Sequence, residues 1–307
     1  MAGMREIAGR IRSVRDTMKI TNAMYMISST KLRKARKEMD ANTPYFTSLQ
    51  KMLVSIMMSS AEHRHMYLDT RRKKTGKDRV HAVIVITADK GLAGPYNHNV
   101  VRLVEERFLS EENREKETVK LYVVGEVGRQ YFASKKVHME GQFRYTAQNP
   151  SLHRARVIME TVLEEFRQKR VDDVSIVYTE MKGLAGCEAK VMHLLPLLER
   201  EVRERLRRGD LPPQEELHFV PSADEVLTNI VPDVLVGYIY SALVDSYCSE
   251  QNERMTAMDA ANRNASEMIH SLKIQYNRER QARITQEITE VASGAKKVKK
   301  DREESEK

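Results

Sequence analysis

The stretch YIYSALVDSYCSEQNERMTAMDAANRNASEMIHSLKIQYNRERQARITQEITEVAS, Tyr238–Ser293, runs for 56 residues with neither Gly nor Pro and is rich in good helix formers. It predicts one very long helix. At 1.5 Å per residue such a helix extends roughly 84 Å, against a diameter of about 50 Å for a compact globule of this length. A rod of that size projects beyond any globular body.

Nearer the N-terminus a second run free of Gly and Pro, Arg10–Thr43, reaches roughly 51 Å before Pro44 is expected to interrupt it. Ile7, Ile11, Val14, Met18, Thr21, Tyr25, Ser28, Leu32, Ala35 and Met39 alternate four and three apart along it. That 3.5-residue repeat marks a left-handed coiled-coil seam. On the C-terminal rod Ala257, Ala260, Ala261 and Ala265 form a narrow face, with Met255, Met258, Ile269 and Leu272 as larger fillers. This face is suited to receive the first rod, although the same stripes would also bury helices in an ordinary bundle.

Between the rods the period changes. VHAVIVIT from Val80, VKLYVV from Val119 and VSIVY from Val174 read as buried strands. Helical stretches around Asn97–Phe108, Glu126–Ala133 and Ser151–Arg167 separate them, so the alternation predicts a parallel, doubly wound, Rossmann-like α/β domain. Connections are expected at Arg71–Asp78 and Gly209–Pro213. The division that follows is 1–70 for the first helix and its continuation, 71–220 for the α/β domain, 221–295 for the long C-terminal helix, and 296–307 for a charged, fraying tail.

Charge and cysteine content narrow the function classes. The 307 residues carry 52 Lys and Arg against 44 Asp and Glu, a formal charge of +8. Most of the asymmetry sits in the first 41 residues, which favours acidic partners. Lys31, Arg33, Lys34, Arg36 and Lys37 cluster there without interleaved aromatics, which reads as a solvated helical face rather than a nucleic-acid reader. Two cysteines, Cys187 and Cys248, make neither a disulfide framework nor a metal site, and a reducing compartment fits. Neither a membrane span nor a secretory leader is expected, so the chain reads as soluble or peripheral to a membrane.

No residue set identifies an active site. TADKGLAGPYN, Thr87–Asn97, follows a strand and precedes a helix, where phosphate loops occur, yet it matches neither dinucleotide nor P-loop spacing, and Lys90 precedes Gly91. A tight turn is the expected alternative, with unusual dihedrals at Gly91 and Gly94 and Pro95 opening the helix. His63 and His65 lie two apart on a predicted helix and do not face each other.

The C-terminal rod carries YNRERQARITQEITEVA, Tyr276–Ala292, followed by Ser293, Gly294 and Ala295. The positions Ile284, Thr285, Glu287, Glu290, Gly294 and Ala295 resemble the signature of the gamma subunits of F-type ATP synthases. RIRSVRDTMKITNAMYMISSTKLRKA within Arg5–Ala35, and the central TADKGLAGPYN, are similar to that family as well. The resemblance thus covers the chain up to its tail.

It implies an antiparallel coiled coil of the terminal helices inside a ring of alpha and beta subunits. A central α/β domain would lie nearer the membrane, and a rotor would couple proton or sodium flow to ATP synthesis or hydrolysis at beta. Implied partners are alpha, beta, epsilon and the membrane c-ring, with no nucleic acid, no cofactor, no metal and no substrate of its own. The chain would be non-catalytic and peripheral, on the cytoplasmic face of a bacterial cell membrane. Position by position, Met24 matches the residue facing an acidic moving loop of beta, Arg254 and Gln281 match polar contacts with a beta catch loop, and Thr285 and Glu287 match other coupling residues. Ala93, Pro95, Glu279 and Arg283 depart from the family's commoner residues, and Lys299–Lys307 extends past its usual end.

Two other classes make different demands. A doubly wound enzyme needs a ligand pocket at the carboxyl ends of its strands. A basic nucleic-acid binder needs affinity that falls steeply with salt.

Overall fold

The structure is a computed structural model that describes residues 2–58, 65–69, 78–111, 117–141, 143–182, 186–205, 219–220 and 222–305. Its two compact units are Ser28–Met255, and Met1–Ile27 together with Thr256–Lys307. The elements in chain order are α1 (Ala2–Met58), β1 (Val80–Ile86), α2 (Tyr96–Val104), β2 (Thr118–Val124), α3 (Glu126–Ser134), α4 (Leu152–Arg167), β3 (Asp173–Met181), β4 (Cys187–Leu195), α5 (Glu199–Arg205) and α6 (Ala223–Ser305).

In the larger unit the strands lie in the order β2-β1-β3-β4. β1 pairs in parallel with β2 and with β3, while β4 runs antiparallel to β3. The sheet is therefore mixed, and the expectation of a wholly parallel sheet is corrected at this edge. β1 is buried along its last five residues, as a strand covered on both faces must be. On one face Ala82, Ile84, Tyr122, Ile176 and Tyr178 pack with Phe46 and Leu53 of α1, Ile158 and Phe166 of α4, and Leu235 and Ile239 of α6. On the other, Val83, Val85, Leu121, Val123 and Val177 meet Val100 and Val104 of α2, Phe108 and Phe132.

Local signals account for two of the helix starts. Ser151 caps α4 by accepting from the Arg154 amide at 3.2 Å. α2 begins directly after Pro95 and passes at Glu105 into a π-helical turn, Glu105–Leu109. The expected connection Gly209–Pro213 lies outside the described residues, as does Arg71–Asp78 apart from Asp78.

Both rods exceed their sequence limits: packing supplies the reason past Pro44 and before Tyr238, while at its other end α6 stays helical through Gly294 to Ser305, which corrects the expectation of a fraying tail from residue 296. α1 passes through Pro44, which costs about 3 kcal/mol in a helix interior. The next turns bury Phe46, Leu53, Val54 and Ile56, each worth about 1.5–3 kcal/mol, which outweighs that cost. α6 starts fifteen residues before Tyr238, at Ala223, and includes Pro232 and Gly237. Gly237 is a close-approach position rather than a stop: a Cβ there would lie 2.3 Å from Phe46 Cδ1. α6 also holds an 18-residue window apolar enough to span a membrane, but 61% of it is buried inside the protein, as in a core helix.

In the smaller unit the N-terminal part of α1 pairs with α6. Thr21 donates its hydroxyl to Asn262 Oδ1, Asn262 Nδ2 donates to Asn22 Oδ1 at 2.9 Å, and Ser266 Oγ lies 3.6 Å from Met18 Sδ. Lower numbers on α1 thus meet higher numbers on α6, so the pairing is antiparallel. Polar partners on an apolar seam fix its register. The ten predicted seam positions from Ile7 to Met39 are all half-buried or buried, and most of their neighbours are exposed.

Candidate functional site

The loop 87–97 spends its polar groups on holding the fold. Thr87 donates its hydroxyl to the Val124 carbonyl at 3.1 Å and accepts from the Gly128 amide at 3.0 Å. Asn97 Oδ1 accepts from the Ala88 amide at 2.8 Å. Asp89 accepts from the amides of Glu126, Ala147 and Gln148 at 3.2, 3.0 and 3.2 Å, and from the Thr146 hydroxyl.

Asp89 therefore sits at the N-terminus of α3, where free amides and the helix dipole would otherwise attract an anion. The protein supplies that anion itself. The turn's positive dihedrals fall at Leu92 (φ 61°) and Gly94 (φ 52°), so Leu92 takes the role expected of Gly91. Leu92 is 66% exposed, so its side chain meets no packing obstacle there.

Arg254 locks this loop to α6. Its guanidinium lies 2.7 Å from Glu250 Oε1 and donates to the Gly91 carbonyl at 3.1 Å. Both side chains are buried. Burial raises the Glu250 carboxyl above its usual range, and the Arg254 charge acts against that rise. Among the described residues Glu250 Oε2 has no hydrogen-bond partner, and Oε1 accepts from Arg254. The sequence expectation treated Arg254 as a polar group on a projecting rod. The structure puts it inside the larger unit instead.

The other expected site residues belong to the smaller unit. Met24 is half-buried on α1, while Gln281, Thr285 and Glu287 are exposed on α6. Glu287 pairs with Arg283 Nε at 2.8 Å, giving the departure at Arg283 a partner on the same helix. The Thr285 carbonyl accepts from the Thr289 hydroxyl at 2.7 Å. Gln281, Thr285 and Glu287 thus share one bare segment, and Arg254 stands apart from them. His63 lies outside the described residues, and His65 bonds Thr228 Oγ1 at 3.0 Å.

Two features escaped the sequence reading. Every residue from Ile284 to Lys296 is exposed, and Ile284, Ile288 and Val291 stand 47, 64 and 73% open. Their spacing of i, i+4, i+7 makes an apolar stripe with no cover among the described residues, which marks a partner surface. The Glu250–Arg254 pair was legible as an i, i+4 charge pair within SEQNER, but its burial was not.

A mixed α/β unit, and an antiparallel helix pair whose α6 carries a bare apolar stripe, mark a protein whose working surface faces other chains. The comparisons with known proteins agree. A family model described as ATP synthase matches residues 3–298. The ATP synthase gamma chain of Ruminiclostridium cellulolyticum is 41% identical over 292 residues, covering 95% of this chain and 97% of that one. The sodium ion specific ATP synthase gamma chain of Acetobacterium woodii is 36% identical, covering 95% and 97%. Among solved structures, a chain of the Euglena gracilis mitochondrial ATP synthase (OSCP/F1/c-ring, rotational state 3) has the same fold, with a TM-score of 0.63 at 16% identity over 95% of this chain and 93% of that one. The chain belongs to the ATP synthase gamma chain family.

Proposed function

We propose that this chain is the central-stalk rotor of an ATP synthase, turned by proton or sodium flow and imposing successive nucleotide affinities on the beta subunits. It makes and breaks no bonds of its own. Its partners are the alpha and beta subunits, epsilon and the membrane c-ring, and it works at the cytoplasmic face of a bacterial cell membrane. Segments 1–70 and 221–295 serve as the shaft, 71–220 as the base, and 296–307 as an extension of the shaft.

The observation that carries this reading is the exposed end of α6, where an apolar stripe adjoins the polar residues Gln281, Thr285 and Glu287. Torque transfer needs stiff helices and contacts that break and re-form, and exposed residues on a continuous helix meet that need. Met24, Gln281, Thr285 and Glu287 make the transient contacts with beta. Arg254 acts at one remove, by keeping the loop around Gly91 fixed to the shaft. Asp89's occupation of the α3 N-terminus argues against nucleotide binding at the loop.

The test is ATPase turnover after mixing purified alpha and beta with and without this chain, with size-exclusion analysis of the product. A stable assembly whose turnover depends on the chain is the expected result. No assembly, together with saturable nucleotide binding by the isolated chain, would overturn the reading.

A further inference from the structure

At the β4 edge of the larger unit lies a cleft of about 690 Å³, bounded by α1, β3, β4, α5 and α6. Three of its lining residues, Tyr238, Ala242 and Asp245, follow one another at helical spacing on α6 and so share a face. The two polar ends of that face are about 10 Å apart along the helix axis.

Neither end makes a hydrogen bond among the described residues, and the Arg205 guanidinium lies 4.7 Å from the centroid of the Tyr238 ring. Tyr238 is 4% exposed, and its hydroxyl makes no hydrogen bond. Burying a hydroxyl without a partner costs about 1–3 kcal/mol, so a ligand group bonded to it would recover that cost. The other carboxylates around the cleft are engaged: Glu180 with Lys190 at 2.5 Å, Glu201 with Arg205 at 3.3 Å, and Glu204 with Arg200 at 2.8 Å. Asp245 takes part in none of these pairs. Ala242 and Met192 line the cleft with apolar atoms.

We propose that this cleft binds an alkylammonium chain, its charged head on Asp245, its methylenes along Ala242 and Met192, and its second polar group on the Tyr238 hydroxyl. Two sources share that chemistry. A free polyamine offers a second N–H for Tyr238 Oη to accept, whereas a lysine side chain of a neighbouring polypeptide offers a backbone carbonyl to which Tyr238 donates.

The affinity is pH-dependent in a defined direction. Burial, with Glu180 adding to it and Lys190 opposing, raises the Asp245 carboxyl to about 7. The other ionisable groups around the cleft are Tyr178 and Glu180 from β3, Lys190 and His193 from β4, Glu201, Glu204 and Arg205 from α5, and Tyr238 on α6 itself; α1 contributes the neutral Gln50. Cys248 lies one turn along α6, with its thiol pushed up to about 12 by burial. The ammonium stays charged from pH 6 to 8 while Asp245 goes from about one-tenth to nine-tenths ionised, so affinity should rise about tenfold over that range.

The test is calorimetric titration of the full-length chain with spermidine and, separately, with Nα-acetyl-lysine methylamide at pH 6 and pH 8. Saturable binding of either amine, strengthening with pH, is the expected result. Spermidine alone identifies a free polyamine, and the lysine derivative alone identifies a partner's side chain. Asp245→Asn should weaken binding about tenfold or more, by removing the one charged contact. Should that variant fold poorly, Tyr238→Phe deletes only the hydroxyl and should weaken binding several-fold. No binding of either amine, or binding that is unchanged by pH and by both variants, overturns the proposal.

Discussion

Two stretches of α6 have similar helical character and opposite surroundings. From Gly237 to Arg254 the helix is packed against the sheet, and from Gln281 to Lys296 nearly every residue is open to solvent. In the first stretch a methyl group added at Gly237 would lie 2.3 Å from Phe46 Cδ1, and the buried Glu250 carboxyl is held by Arg254 at 2.7 Å. In the second, three large apolar residues stand exposed with nothing against them. The difference teaches that one helix serves two purposes: its packed stretch determines stability, and its bare stretch is kept for other chains.

The comparison breaks first at Arg254. Arg254→Ala strands a buried carboxylate and frees the Gly91 carbonyl, and should cost about 3 kcal/mol in denaturant unfolding, since removing one partner of a buried ion pair is far costlier than losing an exposed one. Arg254→Lys should not restore it, because one ammonium replaces a fork that reaches both Glu250 and the loop. A loss below about 0.5 kcal/mol, the range of ordinary surface changes, would mean the latch is not structural.

Gly237→Ala comes next. Its new methyl group forces Phe46 to move, so overpacking of about 1–3 kcal/mol should exceed the gain of about 1 kcal/mol that alanine normally brings to a helix. Thermal unfolding would show a lower midpoint; a higher one would mean that Phe46 yields freely.

Acid sensitivity sharpens the contrast within the packed unit. Burial acts to raise the Asp173 carboxyl, but the His193 imidazole 3.8 Å away and the Arg79 guanidinium, hydrogen-bonded at 2.8 Å, outweigh it and hold the group well below its usual range. A folded pKa below the unfolded value of about 3.9 means stability fully present above that pH and lost as pH falls from it through the lower folded value. Asp173→Asn should therefore destabilise the chain at pH 7 and flatten the stability slope below about pH 4. An unchanged slope would remove Asp173 from the acid response.

The smallest effect on folding belongs to the bare stretch. Ile288→Asp should change stability by less than about 0.5 kcal/mol, because an exposed side chain has little burial to lose. It should nevertheless reduce the ATPase turnover of the assembly with alpha and beta. Equal losses of helicity and activity would contradict the division.

Much of this was legible in the residues. The seam from Ile7 to Met39 was read from its spacing, and β1, β2 and β3 from apolar runs that only a sheet covered on both faces explains. β4 was missed because Glu188, Lys190 and His193 break its apolar pattern, as suits an edge strand with one side unpaired. Pro44 and Gly237 misled because their local preferences are real, yet distant packing by Leu53, Val54 and Phe46 overrides them. Gln281, Thr285 and Glu287 were placed on an exposed rod, as the structure has them. The burial of Arg254 beside Glu250 was not legible, because periodicity gives a helix face but not what covers it.

The most direct test is amide hydrogen exchange along α6, comparing the chain alone with the chain assembled with alpha and beta. The account predicts that protection from Gln281 to Ala295 rises on assembly, while that from Gly237 to Arg254 is high in both and does not change. Protection gained at 237–254 with none at 281–295 would contradict it.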